Sequence, residues 1–362
     1  MVTSAPVALL AVRRRERRTT PADVPALDDM PVEGPLVDRF GRVHDDLRVS
    51  VTDRCNLRCV YCMPERGMEF LPRSELLSFE EIVRVARVAR DLGITSVRLT
   101  GGEPLVRRGL PDLVSRLASI GFEDLAMTTN GMLLAEMAGA LSAAGLRRVN
   151  VSCDSLQPER FGSIRRRGNL DRVLEAMDAA ERAGLSPVKV NVVVLRGRND
   201  DEILEFAALA RRTGRLVRFI EFMPLDAEGR WDRAQLVPGR EIFERISARW
   251  ALEPVLAPGD PAPAQRYRFA DGRGEIGLIS SVTQPFCGTC NRLRLTAEGA
   301  VRNCLFSDRE RNVRDVLRRG GAGVEADVAL LLRRAVWDKQ PGHGINDPGF
   351  LRPTRSMSMI GG

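Results

Sequence analysis

Seven cysteines lie in two groups of three, with one cysteine alone between them. The groups are Cys55, Cys59 and Cys62, then Cys287, Cys290 and Cys304, and the lone residue is Cys153. An odd number of clustered cysteines suits metal ligation better than disulfide bonds, and free thiols predict a reducing compartment. We therefore expect two metal centres in a cytoplasmic protein.

The first group occupies one tight loop, CNLRCVYC, directly after a strand-like run. Three thiolates on such a loop can hold three irons of a [4Fe–4S] cube and leave the fourth iron without a protein ligand. An open iron can bind the amino and carboxylate groups of a small molecule, as an open zinc site accepts substrate. A zinc knuckle or unpaired structural cysteines are the alternatives, but the position after a strand and the aromatic Tyr61 inside the loop favour the cube.

The second group has two and then thirteen residues between its cysteines. A zinc site normally has a fourth ligand, and the two histidines, His44 and His343, are not near this group in sequence. Folding could still bring a histidine close, so zinc remains an alternative. The pattern favours a second [4Fe–4S] cube with an open iron that a substrate nitrogen or oxygen could occupy.

Strand-like runs alternate with helical stretches in the region that carries the first cysteine group. The six runs are LRVSV, SVRLT, DLAMTT, RRVNVS, VKVNVVV and LVRFIEF. Ser78 and Glu81 form a capping box and Gly93 a stop signal, which together predict a helix from Phe79 to Leu92. This alternation predicts a parallel sheet, either open and doubly wound or curved into a partial barrel.

The strands carry polar residues on one face. Arg48, Ser50 and Thr52 alternate with apolar residues in the first run, and Lys189 and Asn191 repeat the pattern in the fifth. Both faces of a parallel strand should be buried, so a polar face cannot belong to the dry, layered core of a closed eight-stranded barrel. We therefore expect a lumen that holds a polar ligand.

Polar motifs stand at the carboxyl ends of the runs, where barrels of this kind keep their active sites. They are GGEP at 101–104, TTN at 128–130, SCDS at 152–155 and EFMP at 221–224. The glycines of GGEP permit close backbone approach, and Glu103 offers a carboxylate to a ligand amine.

The CxxxCxxC pattern with an aromatic residue before its last cysteine resembles the radical S-adenosylmethionine superfamily. The resemblance implies a six-stranded partial barrel and a 5′-deoxyadenosyl radical that removes hydrogen from the substrate. It makes Cys55, Cys59 and Cys62 the ligands of the cluster that cleaves S-adenosylmethionine. It also implies that this cosubstrate contacts Tyr61, Gly102, Glu103, Ser152 and Met223.

A longer set of motifs resembles the branch of that superfamily that acts on GTP in molybdenum cofactor synthesis. The motifs, between about residue 38 and the C-terminus, include LRVSVTDRCNLRCVYCMP, VRLTGGEP, VNVSCDSL, RFIEFMP, FCGTCNRLRL and a final IGG. The resemblance implies removal of the ribose H3′ and attack of C3′ on guanine C8, which gives (8S)-3′,8-cyclo-7,8-dihydroguanosine 5′-triphosphate. It implies GTP contacts by Arg48, Arg98, Thr128, Lys189, Arg292, Leu293 and Arg294, catalytic roles for Arg292, Arg294, Gly361 and Gly362, and a second cluster on Cys287, Cys290 and Cys304.

The expected architecture is an α/β partial (β/α)6 barrel of parallel strands, with a smaller C-terminal α+β region that closes the barrel mouth. We assign residues 1–38 to a flexible Arg/Pro-rich extension, 39–235 to the barrel, and 236–362 to the second-cluster region. The resemblance also implies an electron donor, a homodimer, and contact with the partner enzyme that makes cyclic pyranopterin monophosphate.

Composition bears on the competing functions. A net charge of +7 suits nucleic acid or a small polyphosphate equally well, and no apolar stretch reaches the roughly 18 residues that cross a membrane. A zinc-containing nucleic-acid-binding protein should place aromatic residues among its arginines, but the chain has only two tyrosines and three tryptophans. Another two-cluster radical enzyme, such as one that modifies peptides, should have more C-terminal cysteines.

Overall fold

The computed structural model describes residues 29–66, 68–256 and 261–361. Six parallel strands form the centre of one sheet, and each pairs with the next along the chain. They are β1 (Asp46–Ser50), β2 (Ser96–Thr100), β3 (Asp124–Thr129), β4 (Arg148–Ser152), β5 (Lys189–Val194) and β6 (Leu216–Glu221). The six strands predicted from the sequence are confirmed, as is the α/β partial-barrel class.

Helices connect the strands and cover the outside of the sheet. They are α1 (Phe79–Asp91), α2 (Leu110–Ala118), α3 (Leu134–Ala143), α4 (Pro158–Arg165), α5 (Leu170–Arg182) and α6 (Ile203–Thr213). The predicted capping box of α1 is present, with Ser78 and Glu81 each accepting from the other's backbone N–H. No helix among the described residues has the length and apolar character needed to cross a membrane.

The C-terminal region lengthens the same sheet at both edges. Its elements are α7 (Gly239–Ser247), β7 (Leu252–Pro254), β8 (Gln265–Phe269), β9 (Glu275–Ile279), β10 (Arg292–Leu295), β11 (Ala300–Arg302), β12 (Arg311–Asn312), α8 (Val313–Arg319), α9 (Val324–Trp337) and α10 (Met357–Ile360). Strand β10 pairs in parallel with β1, and β9 pairs in parallel with β6, so the sheet has twelve strands within the described ranges. Because the second-cluster region supplies strands to the barrel sheet, the boundary at residue 235 stays a prediction.

The two faces of the central strands differ as the alternation predicts. Leu47, Val49 and Val51 are fully buried in the apolar core between sheet and helices. Arg48, between them, therefore points to the opposite face, which lines the inside of the curved sheet.

The predicted N-terminal extension is partly wrong. Residues 1–28 lie outside the described residues, but residues 29–38 pack against the barrel rather than forming a flexible tail. Leu36 is fully buried, and its backbone N–H donates to the Leu92 carbonyl at 3.0 Å. Arg333 of α9 donates to the Gly34 carbonyl at 2.6 Å. Burial of one leucine and these backbone contacts were not visible in the composition of the segment.

Candidate active site

The first cysteine loop leaves β1 and lies against the turn that follows β2. A Cβ atom on Gly102 would come within 3.0 Å of the Arg54 carbonyl oxygen, and one on Gly101 would come equally close to the Thr52 carbonyl oxygen. The Gly102 N–H donates to the Thr52 carbonyl at 2.8 Å. The glycines of the GGEP motif therefore permit close approach to the backbone of the cysteine loop itself.

One cavity, of about 190 Å³, opens beside this loop. All three cysteines line it, together with the side chains predicted for S-adenosylmethionine. The predicted residues that line the cavity are Cys55, Cys59, Cys62, Tyr61, Gly102, Glu103, Ser152 and Met223. Thr128, which the resemblance predicts to contact GTP, lines the same cavity. Residues from six separate strand ends and the C-terminal segment thus converge on one space.

Arg165, a residue that we did not predict, contacts the first cysteine group. It is 2% exposed, and it donates to the Cys59 sulfur at 3.4 Å and pairs with Asp154 at 2.8 Å. Asp154 also accepts from the Tyr61 hydroxyl at 2.7 Å. This buried network fixes the aromatic residue and one cysteine of the loop relative to the end of β4.

Glu103 is engaged mainly by protein groups. Its carboxylate accepts from the Asn130 N–H at 2.7 Å, the Thr129 hydroxyl at 2.8 Å and the Leu105 N–H at 3.0 Å. A carboxylate has about four acceptor positions, so one remains for a ligand amine. Burial raises the pKa of Glu103 to about 7.

The second cysteine loop precedes β10. Cys287 begins a single helical turn and Cys290 directly follows it, and the Cys290 N–H donates to the Cys287 carbonyl at 3.1 Å. Lys339 donates to the Cys290 sulfur at 3.3 Å. Burial alone raises the pKa of Cys290, but the charges of Arg292 and Lys339 outweigh it and lower this pKa to about 6. Burial raises the pKa of Cys287, and the charges of the neighbouring Cys304 and Cys290 thiolates add to this increase.

The surroundings of both cysteine groups suit an iron–sulfur cube. Among the described residues, no three His, Cys, Asp or Glu side chains converge on a single-ion position. A cube spreads its three thiolates over three irons, and it is stabilised by N–H donors to sulfur. Arg165 at Cys59 and Lys339 at Cys290 supply such donors, so the residues present fit one cube at each loop.

A row of cations crosses the inside of the sheet. Arg294 of β10 lies in register with Arg48 of β1, and Arg48 lies in register with Arg98 of β2. Buried guanidinium nitrogens of Arg48, Arg98 and Arg292 have no hydrogen-bond partner among the residues that the structure describes. Asp46 is a nearby negative charge, but the arginines beside it outnumber it, so the row favours an anionic ligand.

Two further cations face the same space. Burial, and then the charges of Arg148 and Arg218, lower the pKa of Lys189 to about 8. Burial, and then the charges of Arg98 and Arg148, lower the pKa of Arg218 to about 9. Arg218 is 6% exposed and donates to the Asn191 side chain at 2.9 Å. We did not predict Arg218, although a lone arginine within the apolar run LVRFIEF was a signal for it.

Leu293 does not belong with these residues. It alternates with Arg292 and Arg294 on β10, and its side chain is fully buried in the apolar core. The prediction that it contacts GTP is therefore wrong for its side chain, because successive residues of a strand point to opposite faces.

The C-terminal segment enters the lumen. Gly361 adopts φ 68°, and its carbonyl oxygen accepts from Arg294. Ser358 lines the cavity at the first cysteine group and lies beside Cys62, whose pKa is raised chiefly by burial. The tail thus contacts both the cysteine cavity and the cationic row. Gly362, predicted to act with Gly361, lies outside the described residues.

Comparison with known proteins defines the class. Residues 49–210 match the Radical SAM superfamily. Streptococcus suis SuiB bound to S-adenosylmethionine has a similar fold, with a TM-score of 0.57 over 89% of this chain and 77% of that chain at 12% identity. The fold and the three-cysteine loop are those of a radical S-adenosylmethionine enzyme, a class that uses a [4Fe–4S] cluster and S-adenosylmethionine.

The family within that class follows from sequence. Residues 216–345 match the family described as Molybdenum Cofactor Synthesis C. The chain is 48% identical to a GTP 3′,8-cyclase of Mycobacterium sp. (strain KMS), over 95% of this chain and 99% of that protein. It is 47% identical to a GTP 3′,8-cyclase of Streptomyces coelicolor, over 90% of this chain and 96% of that protein. The chain belongs to the GTP 3′,8-cyclase family.

Proposed function

We infer that this protein converts GTP to (8S)-3′,8-cyclo-7,8-dihydroguanosine 5′-triphosphate in molybdenum cofactor biosynthesis. The observation that carries the proposal is the combination of a three-cysteine cavity, a row of buried arginines on the inner face of the sheet, and a second cysteine group directly before β10. A triphosphate carries about four negative charges and suits such convergent cations. The family relationship adds the guanine base and the cyclisation.

The residues at the first cysteine group would bind S-adenosylmethionine. The first cluster and S-adenosylmethionine, when bound, supply a radical that abstracts hydrogen. Tyr61, Gly102, Ser152 and Met223 line the cavity that would hold the cosubstrate. Glu103 holds the backbone of Asn130 and thereby the shape of that cavity.

The cations orient the substrate. Arg48, Arg98 and Arg294 lie on three neighbouring strands and would bind the triphosphate together with Lys189 and Arg218. Fixing one end of GTP in this way limits the positions of the ribose, and positioning of that kind can supply several kcal/mol of rate enhancement. Arg292 lies two residues after Cys290, so it would meet the nucleotide beside the second cluster.

The proposal includes further assignments that rest on chemistry or on the family resemblance. Cys287, Cys290 and Cys304 would hold a second [4Fe–4S] cluster whose open iron binds the guanine edge. Clusters of free thiols suit a reducing compartment, which supports the cytoplasm. The reaction needs a one-electron donor, and we include a homodimer and the cyclic pyranopterin monophosphate synthase as expected partners.

The proposed activity is tested with anaerobically reconstituted protein, dithionite and S-adenosylmethionine. GTP, ATP or no nucleotide is added, and 5′-deoxyadenosine is measured together with nucleotide loss. Formation of 5′-deoxyadenosine in step with GTP loss, and not with ATP, is expected. Equal formation with every nucleotide would contradict the substrate assignment. Cys287→Ser is the matched variant, which should bind S-adenosylmethionine but lose GTP conversion.

A further inference from the structure

The side chain of Lys339 contacts the second cysteine loop from a distant part of the chain. Lys339 follows the C-terminus of α9 and is 3% exposed. Its Nζ lies 3.3 Å from the Cys290 sulfur, 3.2 Å from the Cys290 carbonyl oxygen and 3.1 Å from the Arg292 carbonyl oxygen. One side chain therefore contacts a predicted cluster ligand and the backbone of a predicted GTP contact.

The number of hydrogen-bond acceptors around Lys339 bears on its protonation state. An ammonium group has three N–H donors, and Lys339 has three acceptors around it. A neutral amine would have two donors and a lone pair facing an acceptor. The three acceptors match the three N–H donors of an ammonium group, one of which is directed to sulfur.

We propose that Lys339 is a positioning residue for the second iron–sulfur cluster, where its positive charge, carried by the N–H···S bond to Cys290, favours the reduced cluster and its carbonyl bonds orient Arg292. The inference rests on the proposed function, because it requires Cys287, Cys290 and Cys304 to hold a cluster. Hydrogen bonds to cluster sulfurs set the reduction potential. A nearby positive charge favours the more negative, reduced state, and the effect is strong in a buried site.

Arg42 provides a matched control on the other side of the same loop. It donates to the Cys287 carbonyl at 2.7 Å, the Gln340 carbonyl at 2.8 Å and the Pro341 carbonyl at 3.1 Å. Its side-chain hydrogen bonds reach backbone oxygens and the Asp38 carboxylate, and within the described parts of the chain none of them reaches a sulfur atom. Substitution of Arg42 therefore loosens the loop without removing a donor to the cluster, whereas substitution of Lys339 does both.

The experiment uses the full chain with Cys55, Cys59 and Cys62 replaced by serine, so that any cluster is at the second site. This parent is compared with Lys339→Met, Lys339→Arg and Arg42→Met by anaerobic redox titration, followed by electron paramagnetic resonance. At the midpoint of the parent, the ratio of reduced to oxidised cluster should fall about tenfold in Lys339→Met, ~59 mV for one electron. Lys339→Arg and Arg42→Met should stay close to the parent.

The other outcomes overturn the inference. An unchanged ratio in Lys339→Met, or an equal fall in Arg42→Met, would show that the lysine only supports the loop. If Lys339→Met binds no iron, Lys339→Gln decides, because it keeps N–H donors but loses the charge, and an unchanged ratio there contradicts the proposal. Absence of a cluster in the parent itself would refute the second-cluster assignment, and it would be seen before any lysine variant is measured.

Discussion

Replacing Gly361 by alanine tests whether the C-terminal tail acts inside the lumen. Gly361 has φ 68°, and a Cβ atom there would lie within 3.0 Å of the Ser50 and Thr100 hydroxyl oxygens. The left-handed conformation costs an alanine about 1–2 kcal/mol, and displacement of the hydroxyls adds to that cost. The population of the docked tail should therefore fall by roughly 5–30-fold or more.

The assay measures GTP-dependent formation of 5′-deoxyadenosine, and limited trypsin digestion reports release of the tail through cleavage after Arg355. Gly361→Ala should lose activity and should be cleaved faster. Gly349→Ala is the control, because a Cβ atom at Gly349 meets nothing within 4 Å. Wild-type activity and wild-type cleavage in Gly361→Ala would refute the reasoning.

Three further predictions follow from the lumen and the N-terminal segment. Arg218→Met should weaken GTP binding about tenfold or more, since a hydrogen bond to a charged group contributes roughly 1.5–3 kcal/mol, and calorimetry should show unchanged binding of S-adenosylmethionine. Because the pKa of Lys189 is lowered to about 8, its ammonium is present below that pH and lost above it. GTP affinity should therefore fall as the pH rises through about 8, and Lys189→Met should flatten that dependence in the same titration. Leu36→Ala should destabilise the protein by about 2–5 kcal/mol, seen as a lower urea midpoint, whereas an unchanged midpoint would contradict the packing of residues 29–38.

The central elements were predictable because their signals are local. A capping box and a glycine stop mark the two ends of α1, and each of the six strands carries a short run of apolar residues, several of them alternating with polar ones. The alternation of Arg48 with Leu47 and Val49 also indicated which face lines the lumen. Such patterns depend on a few consecutive residues, so no knowledge of the tertiary structure was needed.

The pairing of the C-terminal strands was not predictable from the sequence. The run EIGLI looks like any short strand, and nothing in it specifies parallel pairing with β6. The run RLRL likewise gives no sign that it joins β1. Both edges of a six-stranded sheet offer unpaired N–H and C=O groups, and filling them is a tertiary event.

The residues that we missed at the site contact it across long stretches of chain. Arg165 is 106 residues from Cys59, and Lys339 is 49 residues from Cys290. Each is one of 55 lysine and arginine residues, most of which could equally be on the surface. By contrast, the cysteines and the motif residues at strand ends were found because type and spacing together restrict their chemistry.

The most direct test of the account uses GTP that carries deuterium at C3′ of the ribose. The reconstituted protein is supplied with this GTP, S-adenosylmethionine and dithionite, and the 5′-deoxyadenosine is analysed by mass spectrometry. Deuterium in 5′-deoxyadenosine is the predicted result, because the lumen should hold the ribose C3′ towards the first cysteine cavity. Unlabelled 5′-deoxyadenosine formed while GTP is consumed would contradict the proposed orientation of GTP between the two cysteine groups.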